Sequence, residues 1–176
     1  MTLNVTPGDS SADSFVSVDD CDAYCTARGL TGWTGHASSP PEDKEAALRR
    51  STAALGLGYT WKGTKTNGRD QALAWPRDGV VDDEGLALAN DTIPTEIAQA
   101  CCEIAAREIV TPGFMTPDVV LTDRVLREKV GPLETDYAPM PITADANRPR
   151  LPMVDGLVAG LITTGTNALV GASVRR

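Results

Sequence analysis

Ile93-Pro94-Thr95-Glu96-Ile97-Ala98-Gln99-Ala100-Cys101-Cys102-Glu103-Ile104-Ala105-Ala106-Arg107-Glu108-Ile109-Val110-Thr111 is the stretch whose reading decides the fold. Pro94 suits a first helical turn, where the N–H it lacks would have no partner, and Thr92 can cap a helix that starts a residue earlier. Glu96, Gln99, Glu103 and Arg107 fall at helical spacing on one narrow stripe. Ile97, Ala98, Ala100, Cys101, Cys102, Ile104, Ala105, Ala106 and Ile109 fill the rest of the circumference. So wide an apolar arc predicts a helix over 94–110 buried on most sides, its polar stripe left toward solvent or a neighbouring subunit. Thr111-Pro112-Gly113 stops it.

Two further helices are available to cover that arc. Ser17 caps one over Val18–Arg28, with Asp20 at the box position and Gly29 ending it. Ser39-Pro40-Pro41-Glu42 opens another, which runs to about Leu55 and carries a small-residue face of Ala47, Ser51 and Ala54 beside Leu48 and Leu55. Gly56 and Gly58, each costing about 1 kcal/mol against alanine, predict fraying or a break at its end. Residues 59–91 read as irregular, with a short extended piece at 71–75 before Pro76 and a tight turn at Asp82–Gly85. Leu133, Thr135 and Tyr137 then alternate with Glu134 and Asp136, and Gly131-Pro132 fits a type II′ turn, so residues 119–137 are expected to hold a β-hairpin.

The expected fold is mainly α: a small bundle of three main helices with a β-hairpin and an extended C-terminal arm. Residues 1–14 read as a mobile N-terminal arm and 15–137 as the helical core that carries the hairpin. Residues 138–153, with Pro139, Pro141, Pro149 and Pro152, read as a spacer able to reach about 45 Å at ~3.1 Å per residue. Residues 154–176 form the last segment, a short apolar helix (Val154, Leu157, Val158, Leu161, Ile162) and a tail with Leu169, Val170, Arg175 and Arg176. An apolar segment behind such a spacer reads as an arm that docks on another molecule.

At 176 residues, with 41% apolar and 23% charged side chains, the chain has the composition of one ordinary globular domain. The formal net charge of −8 works against binding phosphate backbones, which takes clustered Lys and Arg. The acidity is uneven: residues 1–122 carry nine basic and eighteen acidic side chains, residues 123–176 seven and six. The first basic residue is Arg28 and no apolar run is long enough to span a bilayer, so synthesis and folding in a cytoplasm, with the four cysteines as reduced thiols, is the expectation.

The candidate chemistry is sparse. Cys21, Cys25, Cys101, Cys102 and His36 have the residue types of a zinc site, but both cysteine pairs lie inside helices, where cysteine acts as a small hydrophobe, and the spacing is not that of a zinc turn. His36 beside Ser38 and Ser39 lacks a nucleophile elbow. Asp82, Asp83 and Glu84 lack calcium-loop spacing and read as a solvated turn. Trp33, Trp61 and Trp75 with Lys62, Lys65 and Arg69 form a basic–aromatic group that could stack a single strand; packing of the tryptophans onto the helices is the favoured reading. No catalytic, cofactor-binding or metal residue is expected, and no cofactor.

Several runs carry a resemblance. Phe15-Val16-Ser17-Val18 with Tyr24 and Gly29, Trp61-Lys62-Gly63, Asp70-Gln71-Ala72-Leu73-Ala74-Trp75-Pro76-Arg77-Asp78-Gly79-Val80, Ile93-Pro94, Lys129-Val130-Gly131-Pro132-Leu133-Glu134 and Val154-Asp155-Gly156-Leu157 occur in order over residues 15–160. Together they resemble the head–tail connector or adaptor proteins of tailed phages, a family that also carries the label DnaT-like single-stranded DNA-binding. The resemblance implies a non-catalytic virion protein of the neck, made in the bacterial cytoplasm. Its copies would form a ring, about twelve to match a dodecameric portal. Implied partners are the portal protein, neighbouring copies and the next tail or stopper protein, with DNA only passing through the channel and no membrane. The arm (Val154, Leu157, Val158, Leu161, Ile162, Leu169, Val170, Arg175, Arg176) would engage the portal or a neighbour, and Arg127, Lys129, Glu134 and Asp136 would form a hairpin interface. The sequence departs from that pattern at 53–58, where Gly56 and Gly58 stand, and the tail beyond Thr163 is not covered. The alternative is a single-stranded DNA-binding replication accessory protein, against which the net charge argues.

Overall fold

Ser17 starts the first helix as its residue type demands: its hydroxyl accepts from the Asp20 N–H at 3.1 Å, and α1 runs Val18–Arg28. Gly29 closes it in the left-handed region (φ 62°), its N–H turned back to Cys25 and Thr26. A computed structural model describes residues 2–118, 127–130, 133–136 and 149–163. After α1 come α2 (Thr31–Thr34), α3 (Pro41–Gly58), β1 (Thr64–Lys65), a 3-10 turn (Gly68–Asp70), β2 (Arg77–Asp78), α4 (Thr95–Glu108), β3 (Arg127–Val130), β4 (Leu133–Asp136), α5 (Pro152–Val158) and a 3-10 turn (Ala159–Leu161). The molecule is mainly helical, with a small antiparallel hairpin, as the sequence indicates.

α4 is the spine. It packs against α1, α2, α3 and α5, and Ile97, Ala100, Cys101, Cys102, Ile104, Ala105 and Ala106 are all buried. α3 supplies Ala47, Leu48, Ser51, Ala54 and Leu55 to the same core. It runs unbroken through Gly56 to Gly58, where fraying was expected. Burying Leu55, worth roughly 1.5–3 kcal/mol, offsets the glycine penalties. α2 approaches α4 so closely that a Cβ on Gly32 would stand 2.4 Å from the Ala106 carbonyl oxygen.

The polar stripe of α4 faces solvent only in part: Glu96 is exposed, Gln99 and Arg107 are half-buried, and Glu103 is enclosed. Glu103 is buried, accepting from the Tyr24 hydroxyl at 3.2 Å and from Arg107 at 3.1 Å. Glu108, 1% exposed, holds the chain that leaves the helix. One carboxylate oxygen accepts from Arg50 at 3.0 Å and the Gly113 N–H at 2.8 Å, and the other accepts from the Met115 N–H at 2.9 Å. A carboxylate satisfied by main-chain donors and one guanidinium can be buried where its residue type predicts exposure.

Two further expectations are corrected. Residues 2–14 are a hydrogen-bonded loop, with Ala12 and Ser14 buried. Asn4 and Asp13 exchange bonds of 2.8 and 2.9 Å, Asp9 accepts from Asn4 and Ser11, and Asp13 pairs with Arg49 at 2.8 Å. Asp, Asn and Ser satisfy a folded-back main chain locally, so a composition that suggests mobility instead builds a turn. At the other end, Val154, Val158 and Leu161 are buried in the chain's own core, with Leu157 and Ile162 packed against it. They are therefore not a free docking arm. Their i, i+4, i+7 spacing makes one stripe, and that stripe lands on α4. Main-chain bonds from Lys62 N to Leu161 O (2.9 Å) and from Thr163 N to Thr60 O (2.8 Å) fix the segment, as does the Tyr59 hydroxyl on Asp155 at 2.7 Å. Leu169, Val170, Arg175 and Arg176 lie outside the described residues, as does the spacer over 138–148.

The hairpin pairs Arg127 with Asp136, Glu128 with Thr135, Lys129 with Glu134 and Val130 with Leu133; residues 119–126, 131–132 and 137 of its expected span lie outside the described residues. Two substitutions test the packing. Gly32→Ala must push α2 off α4 and is expected to cost about 1–3 kcal/mol, whereas Gly156→Ala, which meets nothing within 4 Å, should leave stability equal or slightly raised. Glu108→Gln sets an N–H donor against main-chain donors and strips Arg50 of its counter-charge, with an expected loss of about 2–4 kcal/mol read from the urea midpoint at constant m-value.

Candidate nucleic-acid interface

Residues 61–79 form a compact module between α3 and α4. β1 and β2 pair antiparallel, Thr64 with Asp78 and Lys65 with Arg77. Gly63 is obligatory at their start: its φ is 67°, and a Cβ there would lie 2.1 Å from the Asp78 carbonyl oxygen. Gln71 is buried and organises the interior of the loop, donating to Leu73 O at 2.9 Å and Pro76 O at 3.0 Å. Asn67 ties the module to the N-terminal loop through Gly8 O at 2.9 Å.

The sequence places four basic side chains and two acidic ones in this stretch, a local excess within a chain of net charge −8. Their partners differ. Arg77 spends its guanidinium on the carbonyls of Lys62 (2.7 Å), Gly63 (2.6 Å) and Ala74 (3.1 Å), and burial pushes its pKa below the usual value. Lys62 bridges Gly160 O at 2.7 Å, Val81 O and the Asp83 carboxylate. Lys65 donates only to carbonyls, those of Gln71 at 3.0 Å and Ala72 at 3.4 Å. Arg69, on the 3-10 turn, is exposed and has no side-chain partner among the described residues. Lys65 and Arg77 thus keep a positive charge that no carboxylate among the described residues pairs with, and Arg69 keeps its donors as well.

The tryptophans of the sequence-level basic–aromatic group do not join this surface. Trp33, Trp61 and Trp75 are buried, Trp61 and Trp75 meeting edge to face at 5.7 Å and Trp61 lying tilted by 46° against Tyr59 at 5.5 Å. Trp33 is far off in the fold, on α2, where its indole donates to Asp22 and Lys44 lies over its ring. The elements β1 and β2 escaped sequence reading because two residues are too few to show a period. The Gly63, Gly68 and Gly79 spacing around them was the available signal, and all three have positive φ.

A concavity elsewhere among the described residues is unsuited to a polyanion. A cavity of about 440 Å³ opens between Leu3, the start of α1 and the start of α3. Asp19, Asp22 and Glu45 line it, and its one cation, Lys44, is held by Asp22 at 2.7 and 2.9 Å. The cysteines are core residues. Cys21 and Cys25 lie 3.8 Å apart, and hydrogen bonds to neighbouring thiols together with burial raise the Cys21 pKa. Burial pushes the Cys101 thiol up to about 12 even though Ser51 and Thr52 bond it. His36 is apart from them, bonded to Gly32 O at 2.8 Å. Among the described residues no group of His, Cys, Asp or Glu is arranged to hold a metal ion, and no helix is long and apolar enough to cross a membrane.

A family described as "Putative DnaT-like ssDNA binding protein" matches residues 1–176. The chain belongs to that family. No curated protein and no solved structure matches significantly.

This DnaT-like membership corrects the head–tail connector reading, and with it the virion role and the partners it carried: portal protein, ring of neighbouring copies, tail or stopper protein. Among the described residues, several of those that suggested a connector belong to the core and the turns: Trp61, Trp75 and Val80 are buried, Gly63 and Gly79 turn the chain, and Val154 packs on α4. Such residues report the fold and not what the fold engages. The thiols provide a check on the site geometry. All four cysteines are expected to resist a thiol reagent at pH 8 in the native protein and to react together in denaturant, followed by absorbance of the released chromophore.

Proposed function

We propose that the chain binds single-stranded DNA through the basic side of the 61–79 module, acting by binding and not by catalysis. The observation that carries this reading is the local charge excess of that module, with Arg69 exposed and unpartnered among the described residues and Lys65 bonded only to carbonyls. The family description supports the choice of ligand. The rest of the charge distribution sets the strength. Eighteen acidic side chains against nine basic ones over residues 1–122 keep the footprint short, so few phosphates are neutralised.

With about two phosphate contacts, log K should fall against log salt concentration with a slope near −1.4, at ~0.7 per single-strand contact. Fluorescence anisotropy of a labelled oligothymidylate across a salt series measures it. Arg69→Glu is expected to weaken binding several-fold and to flatten the slope by about one contact, without changing the melting temperature. Unaltered affinity in that variant, or no binding at about 50 mM salt, would remove the module from consideration.

A further inference from the structure

We infer that the ligand class of this site is the phosphodiester backbone itself, recognised without its bases; the inference rests on the binding reading above and specifies it. Single-strand recognition ordinarily combines a basic track with exposed aromatic rings on which bases stack. Here the track lacks its platform. The chain has eight aromatic residues, of which seven are described, and none of the seven is exposed. Trp33, Trp61, Trp75 and Phe15 are buried. Tyr24 carries Arg28 over its ring at 4.5 Å and gives its hydroxyl to Glu103. Tyr59 gives its hydroxyl to Asp155, and Phe114 packs on the core.

Base edges could be read instead by a guanidinium fork; of the module's two, that of Arg77 is occupied, and that of Arg69 has no exposed ring among the described residues to hold a base against it. The Nε and both Nη groups of Arg77 donate to main-chain carbonyls. Lys62 has three acceptors for its three N–H groups. What remains for a ligand is the Arg69 guanidinium and the unspent donor of Lys65, both of which suit a phosphate oxygen. A strand held by two such contacts is recognised by charge and spacing, so base identity and sugar type carry no affinity.

The experiment uses the full chain and a strand of tetrahydrofuran-phosphate units, which has the backbone and no bases. It competes against labelled oligothymidylate of the same length, about 20 nucleotides, longer than the ~4–16 nucleotide footprints of single-strand modules. Equal competition within about twofold, with oligouridylate competing equally and intrinsic tryptophan emission unchanged on binding, is the expected result. An abasic strand weaker by about fivefold or more, the effect of even one stacked base, would overturn the inference while leaving single-strand binding in place. Failure of oligothymidylate itself to bind at low salt would overturn both. Arg69→Glu should weaken the abasic and thymidylate strands by the same factor; a loss confined to thymidylate would contradict a backbone-only site.

Discussion

The enclosure of α4 by α1, α2, α3 and α5 is the constraint on which the remainder of this molecule depends. A helix packed on by four others keeps little solvent face: Glu96 is exposed in its first turn, whereas the acidic side chains further along it must find partners indoors. Glu103 does so through Tyr24 and Arg107, and Glu108 through Arg50 and two main-chain N–H groups beyond the helix. The second arrangement links packing to chain direction. The carboxylate that would be costly to bury unpaired becomes the acceptor that fixes how the chain leaves the spine. Burial also pushes the Tyr24 phenol up to about 12, helped by the Glu103 charge, so it remains a neutral donor across the physiological range.

Much of this was legible in the residues. The bounds of α1 follow from Ser17 and Gly29, and those of α4 from Pro94 and the Thr111-Pro112-Gly113 stop, because caps and breakers act locally. The second helix was legible at its start and misjudged at its end, since the glycine cost is local while the compensating burial of Leu55 is tertiary. Residues 2–14 and 154–162 were misjudged for related reasons. A polar loop and a mobile arm share a composition, and an apolar stripe does not state whether it is covered by its own chain or by another. The exposure of Glu103 was misjudged because spacing assigns a face but not what stands opposite it.

The candidate surface was half legible. Lys62, Lys65 and Arg69 stand out in the sequence beside Trp61 and Trp75, and the structure keeps them in one module while turning both indoles inward. What sequence could not give is how each cation is used. Arg77 supports the module by holding three carbonyls, Lys62 joins it to the C-terminal segment, and Arg69 is left over. A charge count treats these four alike, whereas their hydrogen bonds divide them into two that build the site and two that can meet a ligand.

The pairing of residues 60–62 with 161–163 has a consequence for the order of folding. Contacts this distant in sequence form late, because loop closure must precede any reward from the contact. A nascent chain that has emerged only as far as α4 has the helices of its spine but no main-chain partner beside Trp61 and no acceptor at Gly160 for Lys62. During synthesis the main chain at 60–62 therefore lacks these partners until α5 and the turn after it have cleared the ribosome. That interval leaves an unpaired stretch of main chain of the kind through which chains misassemble.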